Sequence, residues 1–389
     1  MNQAFHALAT EIDRRWREGD FDVAKFPSIA TEALRAANLH EHFDALAPAR
    51  EVIRALEIPP QQDLGAAFGE PPITVFQNDR FFIDVYYWLD GTTLIHEHGF
   101  CGAFAVMGGG SIHTRFDFEE KRHFNRRLSI GELAVKSCET LEVGDVCEIP
   151  AGEDLVHSLF HLDRPSVSVV VRTEAAWTAP QRHFLWPNIA IASKGTPHQT
   201  RRRQCLEMLA KVDPEGFLDE MQSALNRVSP DEFAFLIIAL RPYLGKTKEL
   251  AQTLDRVDER NRELLEALIP AIIHQKRMFK LIDTRTKTPD PEERHLLALL
   301  LNARDNASFQ SLAIHRWPGE ALSDRLANIF SQLFSRSSSL PFDLPTHHRL
   351  SEFCANLLTE KETPISSEEE AGVLKSIRKT LVFRPLVAG

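Results

Sequence analysis

His96 and His98 stand one residue apart in the run Thr92–Phe104, which is otherwise apolar and dotted with glycine. In an extended strand alternate side chains share a face. The two imidazoles therefore point one way and Glu97 the other. Two imidazoles on one face lie within reach of one ion, and imidazole suits zinc, copper, iron and nickel. A third ligand has to come from a neighbouring strand. His157, in "LVHSLFHL" just after the turn "VGDVCEIPAGED", is the best placed. His161 shares strand parity with His157, which makes it a fourth ligand, an outer donor or a plain structural histidine. His113 reads as a strand residue and Cys101 as a small buried apolar one. Tyr86 and Trp88 read as core aromatics or as walls of a substrate pocket, and His347-His348 as a solvated loop pair.

The elements that would position these residues fall into three zones. Residues 1–60 read as helix: in "AFHALATEIDRRWREGD" apolar residues recur at spacings of three and four. The prolines and glycines of "IPPQQDLGAAFGEPP" mark a boundary near 58–72. From 73 to 178 come short runs rich in β-branched and aromatic residues, "FFIDVYYWL", "CGAFAVMGG" and "PSVSVVVRT" among them. Gly91, Gly131, Gly144 and Gly152 punctuate them. Short strands with turn signals and no room for helical crossovers predict an antiparallel sandwich or barrel. From 199 to 389 the pattern is helical again. Ser229-Pro230-Asp231-Glu232 and Asp290-Pro291-Glu292-Glu293 read as helix starts, with an N-cap, proline at the first position and glutamate three after the cap. Asp213-Pro214-Glu215 is a weaker copy. No fixed period links them, so no helical repeat is expected. "LFSRSSSLPFDLPTHH" reads as a loop near 334–348.

The spacing around the histidines resembles the paired motifs of the cupin superfamily. Gly91 stands before His96-x-His98, and Gly108 follows. Gly144, Pro150 and Gly152 match the second motif's G-x5-P-x-G as they stand. Its histidine arrives two residues late, at His157, and His161 takes the place of the usual asparagine. The resemblance covers residues 73–175. It implies a fold of α+β type: a cupin antiparallel β-barrel, or jelly roll, between an N-terminal helical segment and a large all-helical C-terminal region.

The acidic ligand that follows the second histidine in that family is absent, because positions 101–104 read Cys-Gly-Ala-Phe. A three-histidine centre is similar to that of the thiol dioxygenases, whose type member is cysteine dioxygenase. The resemblance implies Fe(II), with Zn, Ni or Mn as alternatives, held by His96, His98 and His157. It implies O2 and a small thiol or related anion as substrates, and His161 as tuning the outer shell. The outer histidine–tyrosine pair of that branch falls on Val170 and Arg172, and its crosslinking cysteine on Ala103. No crosslink is expected, and the substrate need not be cysteine. Arg172 projects into the same cavity in this alignment. Arg172 and Arg115 are the candidates to hold a substrate carboxylate or phosphate bidentately.

Composition bounds the alternatives. With 389 residues, 43% hydrophobic and 26% charged, the chain is ordinary globular stock. A net charge of −10 disfavours nucleic acid as a partner, and Arg201-Arg202-Arg203 reads as a solvated helix start. The five scattered cysteines offer no disulfide framework or cysteine zinc knuckle. No secretory signal and no apolar run long enough to span a membrane are read, so a cytoplasmic location is expected. Two further readings stay open. One is a zinc-activated hydroxide in a hydrolase or isomerase. The other is a non-enzymatic cupin sensor whose helical region binds a protein partner or a second copy.

Overall fold

A computed structural model describes residues 3–42, 44–61, 68–89, 94–174, 180–243, 257–319, 321–336 and 341–387. Gly91 of the first motif, and Thr92 and Thr93 of the opening run, lie outside the described residues. The described strands are β1 (Pro72–Gln77), β2 (Phe81–Trp88), β3 (Ile95–His98), β4 (Gly102–Gly108), β5 (Ser111–Asn125) and β6 (Leu128–Leu141). They continue with β7 (Val146–Ile149), β8 (Gly152–His161), β9 (Ser166–Thr173), β10 (Arg182–Leu185) and β11 (Ile189–Ala192). One sheet has the order β1-β2-β9-β4-β7. The other, β10-β11-β6-β5-β8-β3, closes on itself through pairing of β10 with β3. Every pairing is antiparallel. The antiparallel barrel between two helical regions is thus the fold the sequence predicts. Its last two strands lie past residue 178, where the strand pattern of the sequence fades.

Strand parity sorts side chains between two cores. On β2, β4 and β9 the residues Tyr86, Trp88, Phe104, Val106 and Val170 face the interior, where they meet Leu155 and Leu141 of the other sheet. Their alternates Ile83, Val85, Tyr87, Val169 and Val171 face out and are covered by Phe5, Leu8, Ile12, Trp16 and Phe26. These come from the N-terminal helix Gln3–Glu18 and from Phe26–Ala37. With both faces covered, every residue of β2 is buried. That explains why "FFIDVYYW", broken only by Asp84, reads as a nearly continuous apolar run and not an alternating one.

The C-terminal helices cover the second sheet. Leu185, Ile189 and Ile191 pack with Phe217, Phe233 and Leu268. Ile112 and Phe160 pack with Leu281, Leu296, Phe330 and Phe353. The helix Glu259–Lys287 runs through both groups and ties the region to the barrel.

Asp290 caps its helix as the sequence predicts, accepting from the backbone N–H of Glu292 and Glu293, and Asp213 accepts from Gly216 N–H. Ser229 makes no capping bond. Its hydroxyl donates instead to Asp231 Oδ1 at 2.7 Å, and Glu232 is taken by Arg202. The helix Leu322–Arg336 extends into the first residues of the expected 334–348 loop.

Candidate metal centre

His96 and His98 lie on β3, buried and facing the barrel interior, while Glu97 faces the other way. Glu97 is held there by Arg182 in a bidentate pair, Nε to Oε1 at 2.8 Å and Nη2 to Oε2 at 2.9 Å. That pair pins the strand from behind. His157 enters from β8, directly opposite His96 in the ladder.

A bulge makes this register. His96 faces His157, but His98 faces Gly152, so two steps along β3 are matched by five along β8. A bulge bends its strand and re-aims a side chain. The third histidine, two residues late by motif spacing, is brought into line by this irregularity.

The Nε2 atoms converge. His98 Nε2 lies 3.2 Å from His96 Nε2 and 3.4 Å from His157 Nε2. Imidazole nitrogens at ~2.1 Å from one ion, in tetrahedral or octahedral array, stand roughly 3.0–3.4 Å apart. The proton inventory agrees. His96 Nδ1 sits 2.7 Å from the carbonyl of Leu94. A carbonyl can only accept, so the proton of neutral His96 is on Nδ1 and Nε2 presents a lone pair. Burial pushes the pKa of His96 down, and those of His98 and His157 well below the usual value, with neighbouring histidines adding to the effect. All three are therefore neutral ligands at pH 7. The residues present fit a first-row transition metal.

His113 proves to be more than a strand residue. Its Nε2 lies 2.9 Å from Nδ1 of His157. For His157 to offer Nε2 to a metal, its Nδ1–H must donate to His113, whose own proton then sits on Nδ1. That atom faces Glu139 at 3.8 Å, beyond hydrogen-bond distance. Burial, with Arg115 beside it, lowers the His113 pKa to about 3 and keeps the ring a neutral acceptor.

No carboxylate joins the three imidazoles among the described residues. Cys101 turns away, toward Val23 O and Thr173. At Gly102 an added Cβ would stand 1.9 Å from the carbonyl of Val171, so β4 and β9 approach too closely for an acidic side chain there.

Arg115 lies opposite His157 in the β5–β8 ladder. It has no ion pair among the described residues, and its Nε is buried without an acceptor. It acts on the Cys147 thiol, whose pKa burial raises to about 11 and Arg115 draws back. Arg172 also faces inward, between the rings of Phe82 and Phe100. Its Nε, however, donates to Asp84 at 2.8 Å, and Tyr86 OH lies 3.3 Å from the same carboxylate oxygen. Its charge is thus met inside the protein. Tyr86 and Trp88 line the interior, and the ring of His161 stacks on Trp88 at 4.4 Å. His161 is outside the converging group. Its Nδ1 is 3.0 Å from Ser111 Oγ, and its buried Nε2 has no partner among the described residues. A second cluster, His347, His348 and Glu370, lies on the helical region. There Glu370 is engaged by Arg349 and Ser366.

No family model matches the chain, and no curated protein does. Solved structures that are similar include a DMSP lyase, DddQ, from Ruegeria pomeroyi DSS-3. It is 16% identical, with 46% of this chain and 95% of that one covered and a TM-score of 0.24. A cupin-2 domain protein from Shewanella frigidimarina is 15% identical over 27% of this chain and 82% of that one, TM-score 0.19. A hydroquinone 1,2-dioxygenase, PnpCD, in complex with Cd2+ and 4-hydroxybenzonitrile is 15% identical over 26% and 63%, TM-score 0.21. No described helix is long and apolar enough to cross a membrane.

Proposed function

We propose that the chain is a metalloenzyme of the cupin superfamily that oxidises a small anionic substrate, a thiol in the first instance, with O2. The convergence of the His96, His98 and His157 Nε2 atoms carries this reading. Fe(II) held by three neutral imidazoles would keep its full double charge and open positions for a thiolate and O2. The balance is R–SH plus O2 giving R–SO2H, with both oxygen atoms ending on sulfur.

The chain's own residues then have these tasks. His113 accepts from His157 and fixes that ligand's tautomer. Arg115, which has no carboxylate partner among the described residues, receives the substrate's anionic end. Arg172 stays paired with Asp84 and, with Phe100 against His98, holds the wall of the chamber. Trp88 and His161 close its far side.

The test is oxygen uptake by anaerobically iron-loaded protein over a panel of cysteine, cysteamine and 3-mercaptopropionate. Uptake that disappears in His98→Ala supports the reading. Tight zinc with no oxygen uptake from any thiol would replace it with hydrolytic chemistry at the same ligands.

A further inference from the structure

Two cavities adjoin where the barrel meets the helical region. One, of about 90 Å3, opens between the β3 and β10 ends of the barrel and the helix Glu259–Lys287. The other, of about 420 Å3, continues from it, sharing Trp186 and His274. The walls are largely apolar, with Phe184, Met278 and Ile282 in the smaller cavity. Ile273 and Phe279, which line the two, are 43% and 57% exposed, so the mouth is apolar as well.

The charges are lopsided. No aspartate or glutamate lines either cavity, whereas Arg277, Arg304 and Arg384 do. The chain as a whole carries a net charge of −10, so an acid-free, arginine-lined hollow runs against its composition. Arg277 is accounted for: it donates to the carbonyls of Val382, Leu301 and Leu300. Arg304 is not. Its guanidinium lies over the Trp186 ring at 4.9 Å, and its Nη1 is 3.5 Å from His274 Nε2. Its Nε is buried with no acceptor, and it forms no ion pair among the described residues. Burial lowers Arg304 to about 10 and Arg277 to about 9, the latter also repelled by Arg304. Both stay charged at neutral pH, and a buried guanidinium without an anion is costly.

We infer that this hollow is a binding site for a small organic carboxylate with an apolar body, its carboxylate on Arg304 and its body against Trp186. A planar fork takes a carboxylate bidentately, and the aromatic and aliphatic walls take the rest. The site is separate from the metal centre and does not depend on the activity proposed for it.

Isothermal titration calorimetry on metal-free full-length protein tests it, with benzoate and hexanoate as probes and benzamide as the neutral counterpart of benzoate. Saturable binding of a carboxylate, weakened about 10–100-fold by Arg304→Met and unchanged by Arg115→Met, is expected. If Arg304→Met does not fold, Arg304→Lys serves: it keeps the charge without the fork and should bind measurably more weakly. The inference is overturned if neither carboxylate binds saturably. It is overturned equally if benzamide matches benzoate, if Arg304→Lys is unaltered, or if Arg115→Met alone abolishes binding, which would place the ligand in the barrel.

Discussion

His113 Nε2 stands 2.9 Å from His157 Nδ1 and leaves His157 only one nitrogen, Nε2, to offer toward His96 and His98. A histidine ligand so oriented binds metal better than a freely rotating one, because tautomer and ring angle are set beforehand. Replacing His113 by Ala is expected to weaken metal affinity about 10–100-fold. His113→Gln, whose side-chain oxygen can accept, should recover part of that. Competition against a chromogenic chelator reads both, and equal affinity in all three proteins would remove His113 from the centre.

Arg115 should act on substrate and not on metal. Its loss in Arg115→Met removes one charged hydrogen bond, on the order of 2 kcal/mol, which raises KM about 30-fold. Metal content should stay at the wild-type level. Steady-state oxygen uptake and metal analysis on one preparation separate the two effects.

The Glu97–Arg182 pair, with side chains 3% and 11% exposed, braces β3 from the face opposite the histidines. Glu97→Gln takes the charged bidentate partner from Arg182 and leaves it Glu153, which is 74% exposed, as its ion-pair carboxylate among the described residues. A loss of up to about 3 kcal/mol of stability is expected. Urea unfolding of the metal-free protein measures it without interference from ligand binding.

Acid should destabilise the helical region through histidines buried in neutral form. Burial, with Arg316 beside it, lowers His295 from 6.5 to about 4. The unfolded chain binds that proton first, so the contribution is complete above pH 6.5 and is lost as pH falls toward 4. Between pH 7.5 and 5, unfolding free energy should fall on the order of 2 kcal/mol less in His295→Gln than in the wild type. Parallel slopes for the two proteins would contradict this.

The barrel and the three converging histidines were legible because both depend on local patterns. Parity alone puts His96 and His98 on one face, and the Gly144-to-Gly152 turn announces the strand of His157. What escaped the sequence is cross-strand register. His113 meets His157 only because β5 pairs with β8 so that Arg115 sits opposite His157, and no spacing along the chain encodes that. Arg172 faces inward as its alignment implies, yet Asp84 on β2 meets its charge, again through pairing between distant strands. The strands Arg182–Leu185 and Ile189–Ala192 are four residues each around a proline, too short for alternation to register. The Ser229 cap failed for another reason: its serine and glutamate were drawn to Asp231 and Arg202.

The three-histidine metal centre is measured most directly by anaerobic titration of metal-free protein with Fe(II), scored by bound iron per chain. One tightly bound ion is expected, lost in His96→Ala, His98→Ala and His157→Ala alike, with each variant still folded by circular dichroism. Retention of a full equivalent of iron by any of the three variants would contradict it.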